Sequence, residues 1–267
     1  MGHITKKFHS AAFLLYFVLC STPCIFGQSN AQIESELVAS ILDVQKYSHY
    51  GDSYDEDKLS KAQDSFEQTL LKYSKVASTL QFEFSELNKY MFNATSKDGK
   101  FRIYSWDLED GGTMHNFARI YQYQAQDGKV YSEAEDLTKE DAQGGFVTDI
   151  FPVNANNSTI YIVCSTLIAS NTYNHQSADL FKIEGTKLIS KVNLIKTKSG
   201  VTSSLSFAYD FFSVVDRKER PIRLISFDDT TQTLHIPVVI KDQQFPDGRV
   251  TDRLINYRFN GTYFEKD

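Results

Sequence analysis

The spacing of apolar residues predicts a helix near the start of the chain. Ile33, Leu37, Ile41 and Val44 recur at intervals of three or four residues, which places them on one face of a helix that ends near Tyr47. The other face carries Glu, Ser and Asp residues. This pattern indicates an amphipathic helix whose apolar face must be buried against another element.

A second stripe of the same period follows a polar break at residues 48–55. Its apolar residues begin at Leu59 and continue to Leu80 in steps of three and four, which predicts a second amphipathic helix of about six turns. Residues 81–92 begin with the alternation of a strand and continue like a helix, so both interpretations stay open. Together, residues 28–92 are expected to form a helical layer.

From Ser96 onward the pattern alternates with a period of two, which is typical of strands with one buried face. The alternating runs are separated by Asp-Gly, Glu-Gly or Asn-Gly pairs, which supply the positive φ angles of tight hairpin turns. Ile160–Cys164 is apolar on both faces and is therefore expected to be a central strand. No long helical pattern interrupts the strands, so neighbouring strands should be antiparallel.

These patterns predict the α+β fold class. Two N-terminal amphipathic helices are expected to pack on a predominantly antiparallel β-meander formed by residues 93–267. The sheet is expected to curl into a sandwich, a half-barrel or a shape that resembles part of a propeller. Because no linker rich in Pro, Gly or Ser divides the chain, residues 28–267 are expected to form a single domain.

The first 27 residues have the three-part layout of a secretory signal peptide. Lys6 and Lys7 give a basic start, Ala11–Cys20 is an apolar run of ten residues, and the small residue Gly27 precedes Gln28. Such a run has about half the length that spans a bilayer. We therefore expect cleavage between Gly27 and Gln28, and we expect no transmembrane span in the mature chain.

Cleavage would remove two of the three cysteines. Cys20 and Cys24 follow Leu and Pro, whereas an acylated cysteine requires a small residue before it, so lipoprotein anchoring is not expected. Cys164 remains and lies in the most apolar stretch of the mature chain, so we expect a buried, unreactive thiol. The protein is therefore expected to be secreted or periplasmic and to fold without a disulfide.

Composition and charge exclude several classes of function. The chain has 28 Lys and Arg residues against 34 Asp and Glu, a net charge of −6 that repels phosphate, so no nucleic-acid partner is expected. The motifs of phosphate loops, dinucleotide sites, serine hydrolases and helical zinc sites do not occur, so no cofactor, metal site or catalytic residue is predicted. The charged loop 216–221 is expected to be solvated, with an anion site at Arg217 and Arg220 as the alternative.

One loop collects more chemistry than any other segment. Trp106, Asp107, Glu109, Asp110 and His115 fall within ten residues at the end of a predicted strand, around a pair of glycines. The simplest interpretation is a wide turn with solvated acids and with Trp106 packed on the sheet. Three functional alternatives remain open. Trp106 or Tyr104 could stack on a sugar or peptide, or the three acids could bind calcium. In the third, a pair of the carboxylates cleaves a glycosidic bond.

Two parts of the chain resemble uncharacterised exported proteins of Bacteroidetes-type bacteria. One part is the segment Asp98–Asp107, with sequence DGKFRIYSWD, together with the GGTMH stretch that ends at His115. The other is the ending RLINYRFNGTYF at residues 253–264. The resemblance implies export and brings no established activity or catalytic residue.

These observations favour an exported, non-enzymatic globular protein that binds a ligand or a partner of the envelope or the extracellular space. The candidate ligand-binding residues are the five side chains of the 106–115 loop. The alternative function is a carboxylate-dependent hydrolase of glycan-type substrates that uses residues 107–115. The two hypotheses differ in whether the acids of the loop bind or cleave their ligand.

Overall fold

The computed structural model of the protein describes residues 27–139, 144–155 and 158–267. Of the predicted leader, Gly27 falls within these ranges and residues 1–26 lie outside them. Among the described helices, none combines the length and the apolar character needed to cross a membrane.

Two α-helices open the described chain, and this confirms the prediction from the hydrophobic stripes. They are α1 at Asn30–Lys46 and α2 at Glu56–Tyr73. Each begins with a side-chain cap, since the Ser29 hydroxyl and the Asp55 carboxylate accept a hydrogen bond from the backbone N–H of the third helical residue. The polar break between the stripes is the connection between the two helices.

The second helix ends at Tyr73, although its apolar stripe continues to Leu80. The prediction of about six turns is wrong because a side chain competes for the backbone acceptors at this end. The hydroxyl of the buried Thr79 lies 3.1 Å from the carbonyl oxygen of Tyr73 and 2.8 Å from that of Val76. The chain therefore folds back through a short 3-10 turn at Ala77–Thr79, and Leu80 is buried without being helical.

Fifteen strands follow within the described ranges. They are β1 Phe92–Thr95, β2 Phe101–Asp107, β3 Phe117–Gln124, β4 Val130–Ala134, β5 Phe146–Ala155, β6 Ser158–Ile168, β7 Tyr173–Glu184, β8 Lys187–Ile189, β9 Ile195–Thr197, β10 Gly200–Thr202, β11 Ser204–Asp210, β12 Ser226–Asp228, β13 Thr233–Ile240, β14 Arg249–Phe259 and β15 Phe264–Lys266. The ambiguous residues 81–92 contain a 3-10 turn at Leu87–Lys89 and lead into β1.

The strands form three sheets rather than one continuous meander. The first sheet has the order β1-β2-β3-β4, and the second has the order β11-β7-β6-β5 with β8 also paired to β7. The third has the order β10-β9-β15-β14-β13-β12. Among the described strands every pairing is antiparallel except that of β15 with β9, where Phe264 lies beside Ile195. The prediction of predominantly antiparallel strands and an α+β fold is confirmed.

Three buried clusters connect the helices and the sheets in succession. The first combines residues of α1 and α2 with residues of β2 and β3, among them Phe66 and Trp106. The second joins the first sheet to the second and includes Tyr121 and Phe181. The third joins the second sheet to the third and includes Leu180. The second sheet therefore lies between the other two and is buried on both faces.

The central strand β6 matches its prediction from the apolar run. Tyr161 and Val163 belong to the cluster shared with the first sheet, whereas Ile162 and Cys164 belong to the cluster shared with the third. The Cys164 thiol is free, and its burial raises its pKa well above the ordinary value. A thiol in this environment is a small apolar core group rather than a nucleophile.

Truncation of Phe66 tests the first cluster. Phe66 is fully buried on α2, and its ring packs edge-on against Trp106 with 5.2 Å between the ring centroids. We expect Phe66→Ala to lower the free energy of unfolding by about 3–5 kcal/mol because it removes a buried aromatic ring and leaves a cavity. Urea unfolding followed by the fluorescence of Trp106 measures this loss.

The matched control is Leu42→Ala on α1, where the side chain is exposed. This variant should change the free energy of unfolding by about 0.5 kcal/mol or less. Equal effects of the two substitutions would contradict the burial of α2 against Trp106.

Candidate functional site

Trp106, the first of the predicted site residues, is buried. It is 1% exposed, and its indole N–H donates to Oε1 of Gln63 on α2 at 2.8 Å. Tyr104 is also fully buried in the same cluster. Stacking on a sugar or peptide requires an exposed ring face, and neither ring presents one. Trp106 instead anchors the end of β2 beneath α2.

Asp107, Glu109 and His115 lie together at the end of β2. Oδ2 of Asp107 lies 2.5 Å from Nδ1 of His115, and Oδ1 accepts from the backbone N–H of Glu109 at 2.8 Å. The backbone N–H of His115 also donates to the carbonyl oxygen of Ile168 at 3.1 Å. The carboxylate of Asp107 thus fixes the orientation of the imidazole ring.

The connection between α1 and α2 completes this group. The Ser48 hydroxyl donates to Oε2 of Glu109 at 2.6 Å, and the backbone N–H of His49 donates to the carbonyl oxygen of Glu109 at 2.9 Å. The ring of Tyr50 stacks on His115 with 5.2 Å between the centroids and 28° between the planes. Two loops that are far apart in the sequence therefore form one surface.

Exposed side chains surround the Tyr50–His115 stack. Tyr50, Tyr54 and Met114 are 46%, 47% and 48% exposed, and the rings of His49 and Tyr54 meet edge-on at 4.8 Å. We call the surface formed by His49, Tyr50, Tyr54, Met114 and His115 the Tyr50 patch. It combines ring faces, a hydroxyl group and imidazole nitrogens on an accessible surface, which is a composition suited to binding.

The acids of the loop affect the protonation of this surface. Burial raises the pKa of Glu109, and the Ser48 hydroxyl opposes that shift by donating to the carboxylate. Burial also raises the pKa of Tyr50 to about 12, and the charges of Asp107, Glu109 and Asp110 act in the same direction. The phenol of Tyr50 therefore keeps its proton and remains a hydrogen-bond donor at neutral pH.

The three acids do not form a calcium site. Asp110 accepts from the side-chain amide of Asn116 at 3.2 Å, while Asp107 and Glu109 are bound to His115 and Ser48. Within the described part of the chain, no group of three or more His, Cys, Asp or Glu side chains could hold a metal ion. The calcium hypothesis for this loop is therefore set aside.

The charged loop at residues 216–221 satisfies its own arginines. The guanidinium group of Arg217 binds the carboxylate of Glu219. Arg220 donates to three backbone carbonyl oxygens, at 2.6 Å, 2.7 Å and 2.8 Å. These contacts use the groups that an anion would need, and they favour the solvated-loop interpretation.

The site residues that the sequence pattern did not indicate are Gln63, Met114 and four residues of the α1–α2 connection, Ser48, His49, Tyr50 and Tyr54. Their nearest signal was the concentration of His and Tyr in the short polar break between two amphipathic stripes. The loop between two neighbouring helices is a common place for binding residues, because a rigid scaffold positions it.

No protein-family model matches the chain, and neither a curated protein nor a solved structure is significantly similar to it. The function must therefore be argued from the residues of this chain alone. At the Tyr50 patch these residues supply an exposed aromatic surface, backed by an imidazole that a carboxylate orients.

Replacing Glu109 tests the electrostatics of the loop. Because burial raises the pKa of Glu109 in the folded protein, protonation favours the folded state. This stabilisation is complete below the unfolded-state pKa of about 4.3 and is lost as the pH rises through the folded-state pKa. Glu109→Gln has no carboxyl group to titrate at this position, so it does not lose this stabilisation as the pH rises. We therefore expect the unfolding free energy of the variant minus that of the wild type to increase with pH across this window. Chemical denaturation at a series of pH values measures this difference.

The variant Ser48→Ala should change the pH dependence of stability in the opposite direction to Glu109→Gln. It removes the hydroxyl that donates to Glu109, so the pKa of Glu109 should rise further and the loss of stability with pH should become larger. A difference between Glu109→Gln and the wild type that stays constant with pH would contradict this account.

Proposed function

We propose that this protein is an exported, non-enzymatic globular protein that binds a ligand or partner of the envelope or extracellular space through the Tyr50 patch. One observation carries the proposal. The ring of Tyr50 is held in place by stacking on His115, which Asp107 orients, yet the residue remains 46% exposed. A rigid exposed ring binds with little loss of conformational entropy, because its position is already set.

The export part of the proposal is supported by the N-terminal residues. The layout of a signal peptide ending at Gly27 favours a secreted or periplasmic location, and so does the resemblance of residues 98–115 and 253–264 to exported proteins. Gln28, the first residue after the proposed cleavage point, belongs to the folded body, since its side chain accepts from the Tyr73 hydroxyl at 2.7 Å.

The proposal includes a structural role for the helices. We propose that α1 and α2 form a layer on the first sheet, within a single domain, and that this layer delivers the α1–α2 connection to the 107–115 loop. The hydrogen bond from Trp106 to Gln63 and the bond from Gln63 to the carbonyl oxygen of Leu108 at 2.8 Å support this role. Both contacts join α2 to the base of the loop.

The partner suited to the Tyr50 patch is a sugar or a peptide. Tyr50 and Tyr54 offer faces for stacking, and the phenol of Tyr50 is a donor. The carboxylate of Asp107 is hydrogen-bonded to the His115 ring, and the carboxylate of Glu109 accepts a hydrogen bond from Ser48. Hydroxyl and amide groups of a sugar or peptide match this set of donors and acceptors.

A capture experiment with Tyr50→Ala tests the proposal. Immobilised wild-type protein is incubated with an extract of cell envelope and culture medium, and the retained sugars and peptides are quantified by mass spectrometry. We expect Tyr50→Ala to reduce the retained material by about fivefold or more, because a central aromatic residue commonly contributes most of the binding energy.

The matched control is Tyr173→Ala, which removes another exposed tyrosine, located at the start of β7. This control should retain as much material as the wild type. Equal retention by both variants, or equal loss in both, would contradict binding through the Tyr50 patch.

One contact favours the alternative function of a carboxylate-dependent hydrolase. The pair formed by Asp107 and His115 at 2.5 Å is the arrangement in which a carboxylate orients a general base. The carboxylate of Glu109 accepts a bond from Ser48 in the same loop region. The alternative therefore assigns acid and base roles to Asp107, Glu109 and His115, with a glycan-type substrate.

A hydrolysis assay separates the two functions. The wild type and the triple variant Asp107→Ala, Glu109→Ala, Asp110→Ala are compared on a panel of glycans and esters. The binding proposal predicts equal background rates for both proteins. A wild-type rate that the triple variant and His115→Asn both lose would instead establish the hydrolase, since about a hundredfold or more is expected from general acid–base catalysis.

A further inference from the structure

A polar groove lies between the second sheet and the edge of the first. It consists of two cavities of about 510 Å³ and about 230 Å³ that share Asp179 and Ser204 in their walls. We call the two cavities together the inter-sheet groove. None of the residues of the Tyr50 patch lines it, so it is a separate feature of the molecule. The larger cavity alone has a volume typical of small-molecule sites.

The floor of the groove is a polar area on a face of the second sheet. His175, Ser177 and Asp179 are alternate residues of β7 and therefore point to the same side. The strand register places Ser165 of β6 and Ser206 of β11 on either side of Ser177. Three hydroxyl groups thus form a row across three strands. Asp is an unfavourable strand residue, so the carboxylate beside this row is not explained by strand propensity.

The hydroxyl groups of this floor are already oriented. Ser177 donates its only hydroxyl proton to Oδ2 of Asp179 at 2.7 Å. Its oxygen lies 2.9 Å from that of Ser165, so these two hydroxyl groups are also hydrogen-bonded to each other. The chain of bonds ends on a carboxylate that borders both cavities. A ligand would meet a preorganised set of acceptors rather than freely rotating hydroxyls.

The opposite wall comes from the first sheet. The Tyr121 hydroxyl donates to Oε1 of Glu135 at 3.0 Å, and Oε2 of Glu135 lies 3.8 Å from Nε of the buried Arg119. The ring of Phe181 lies 5.9 Å from that of Tyr121 and contributes an apolar surface beside these polar groups. The groove therefore combines aromatic rings with carboxylates and hydroxyls.

Several charged groups of the groove lie close to a group of the opposite sign, as Glu135 does to Arg119 and Asp136 to Lys139. Glu135 faces Arg119, and burial lowers the pKa of His175, which keeps that imidazole neutral at neutral pH. The ionisable side chains that line the larger cavity have both signs, and they are Glu133, Glu135, Asp136, Asp179, Lys139 and Lys191. Hydroxyl groups on a ligand would find acceptors and donors here without bringing a net charge.

We propose that the inter-sheet groove binds a neutral, polyhydroxylated ligand of the saccharide class. Its hydroxyl groups would donate to the carboxylate of Asp179 and to the hydroxyl oxygens of Ser177 and Ser206. This site is distinct from the Tyr50 patch, so its test does not depend on the proposed function.

The test uses calorimetric titration and protein NMR with defined probes. The neutral probes are maltotetraose, cellotetraose and chitotetraose, and the charged probes are tetralysine and tetragalacturonate. We expect at least one neutral tetrasaccharide to bind and to shift the NMR signals of His175, Ser177 and Ser206. We expect no comparable binding of either charged probe.

Two variants assign this binding to the groove. Asp179→Asn keeps the shape of the side chain but removes its charge, and it should weaken binding by about tenfold or more. Ser206→Ala changes an exposed hydroxyl at the rim and should weaken binding by about threefold or more without affecting folding. Asp252→Asn, at an exposed position of β14, should bind like the wild type.

Several results would overturn the proposal. Binding of a charged probe alone would show that the class of ligand is wrong. Binding that Ser206→Ala and Asp179→Asn both leave intact would place the saccharide elsewhere. No binding of any neutral probe at millimolar concentration would remove the assignment of the groove.

Discussion

The second sheet is buried on both faces at its centre, and the rest of the structure depends on this constraint. Its central strand β6 sends Tyr161 and Val163 to one side and Ile162 and Cys164 to the other. A strand of this composition has no face that water tolerates, so another sheet must cover each side. The first sheet then has an outer face of its own to bury, and residues of α1 and α2 share that cluster.

The two candidate binding surfaces lie where this layered packing ends. The Tyr50 patch lies where the α1–α2 connection meets the end of β2, just beyond the buried Trp106. The inter-sheet groove lies along the part of β7 that carries Ser177 and Asp179, next to the apolar contact of Phe181 with the first sheet. Well-packed layers hold both surfaces in position, which is what a preorganised binding site requires.

Local periodicity accounts for the features of the fold that were predicted correctly. The two helices, the antiparallel strands and the central position of β6 follow from the spacing of apolar residues, and Gly128 and Gly185 take positive φ angles at predicted hairpin turns. The end of α2 was mispredicted because the hydroxyl of Thr79 overrides the apolar stripe. The parallel contact of β15 with β9 has no local signal, since it joins segments far apart in the chain.

The candidate site shows the same division between local and distant information. Asp107, Glu109 and His115 are close in sequence, and the structure brings them together, whereas Ser48 and Tyr50 reach the loop across more than sixty residues. Trp106 attracted attention as the only tryptophan, but every residue of β2 from Phe101 to Trp106 is buried, and Trp106 lies in the same cluster as Tyr104. The rarity of a residue type is therefore a weak guide to its exposure.

The place of β15 in the third sheet affects the order in which the protein can fold. This strand lies between β14 and β9, and Phe264 is completely buried there. The first sheet needs only pairings between strands that follow one another in the chain, so it can assemble as soon as its residues emerge during synthesis. The third sheet stays divided into two parts until residues 264–266 enter between them, so its completion is a late event with a long loop to close.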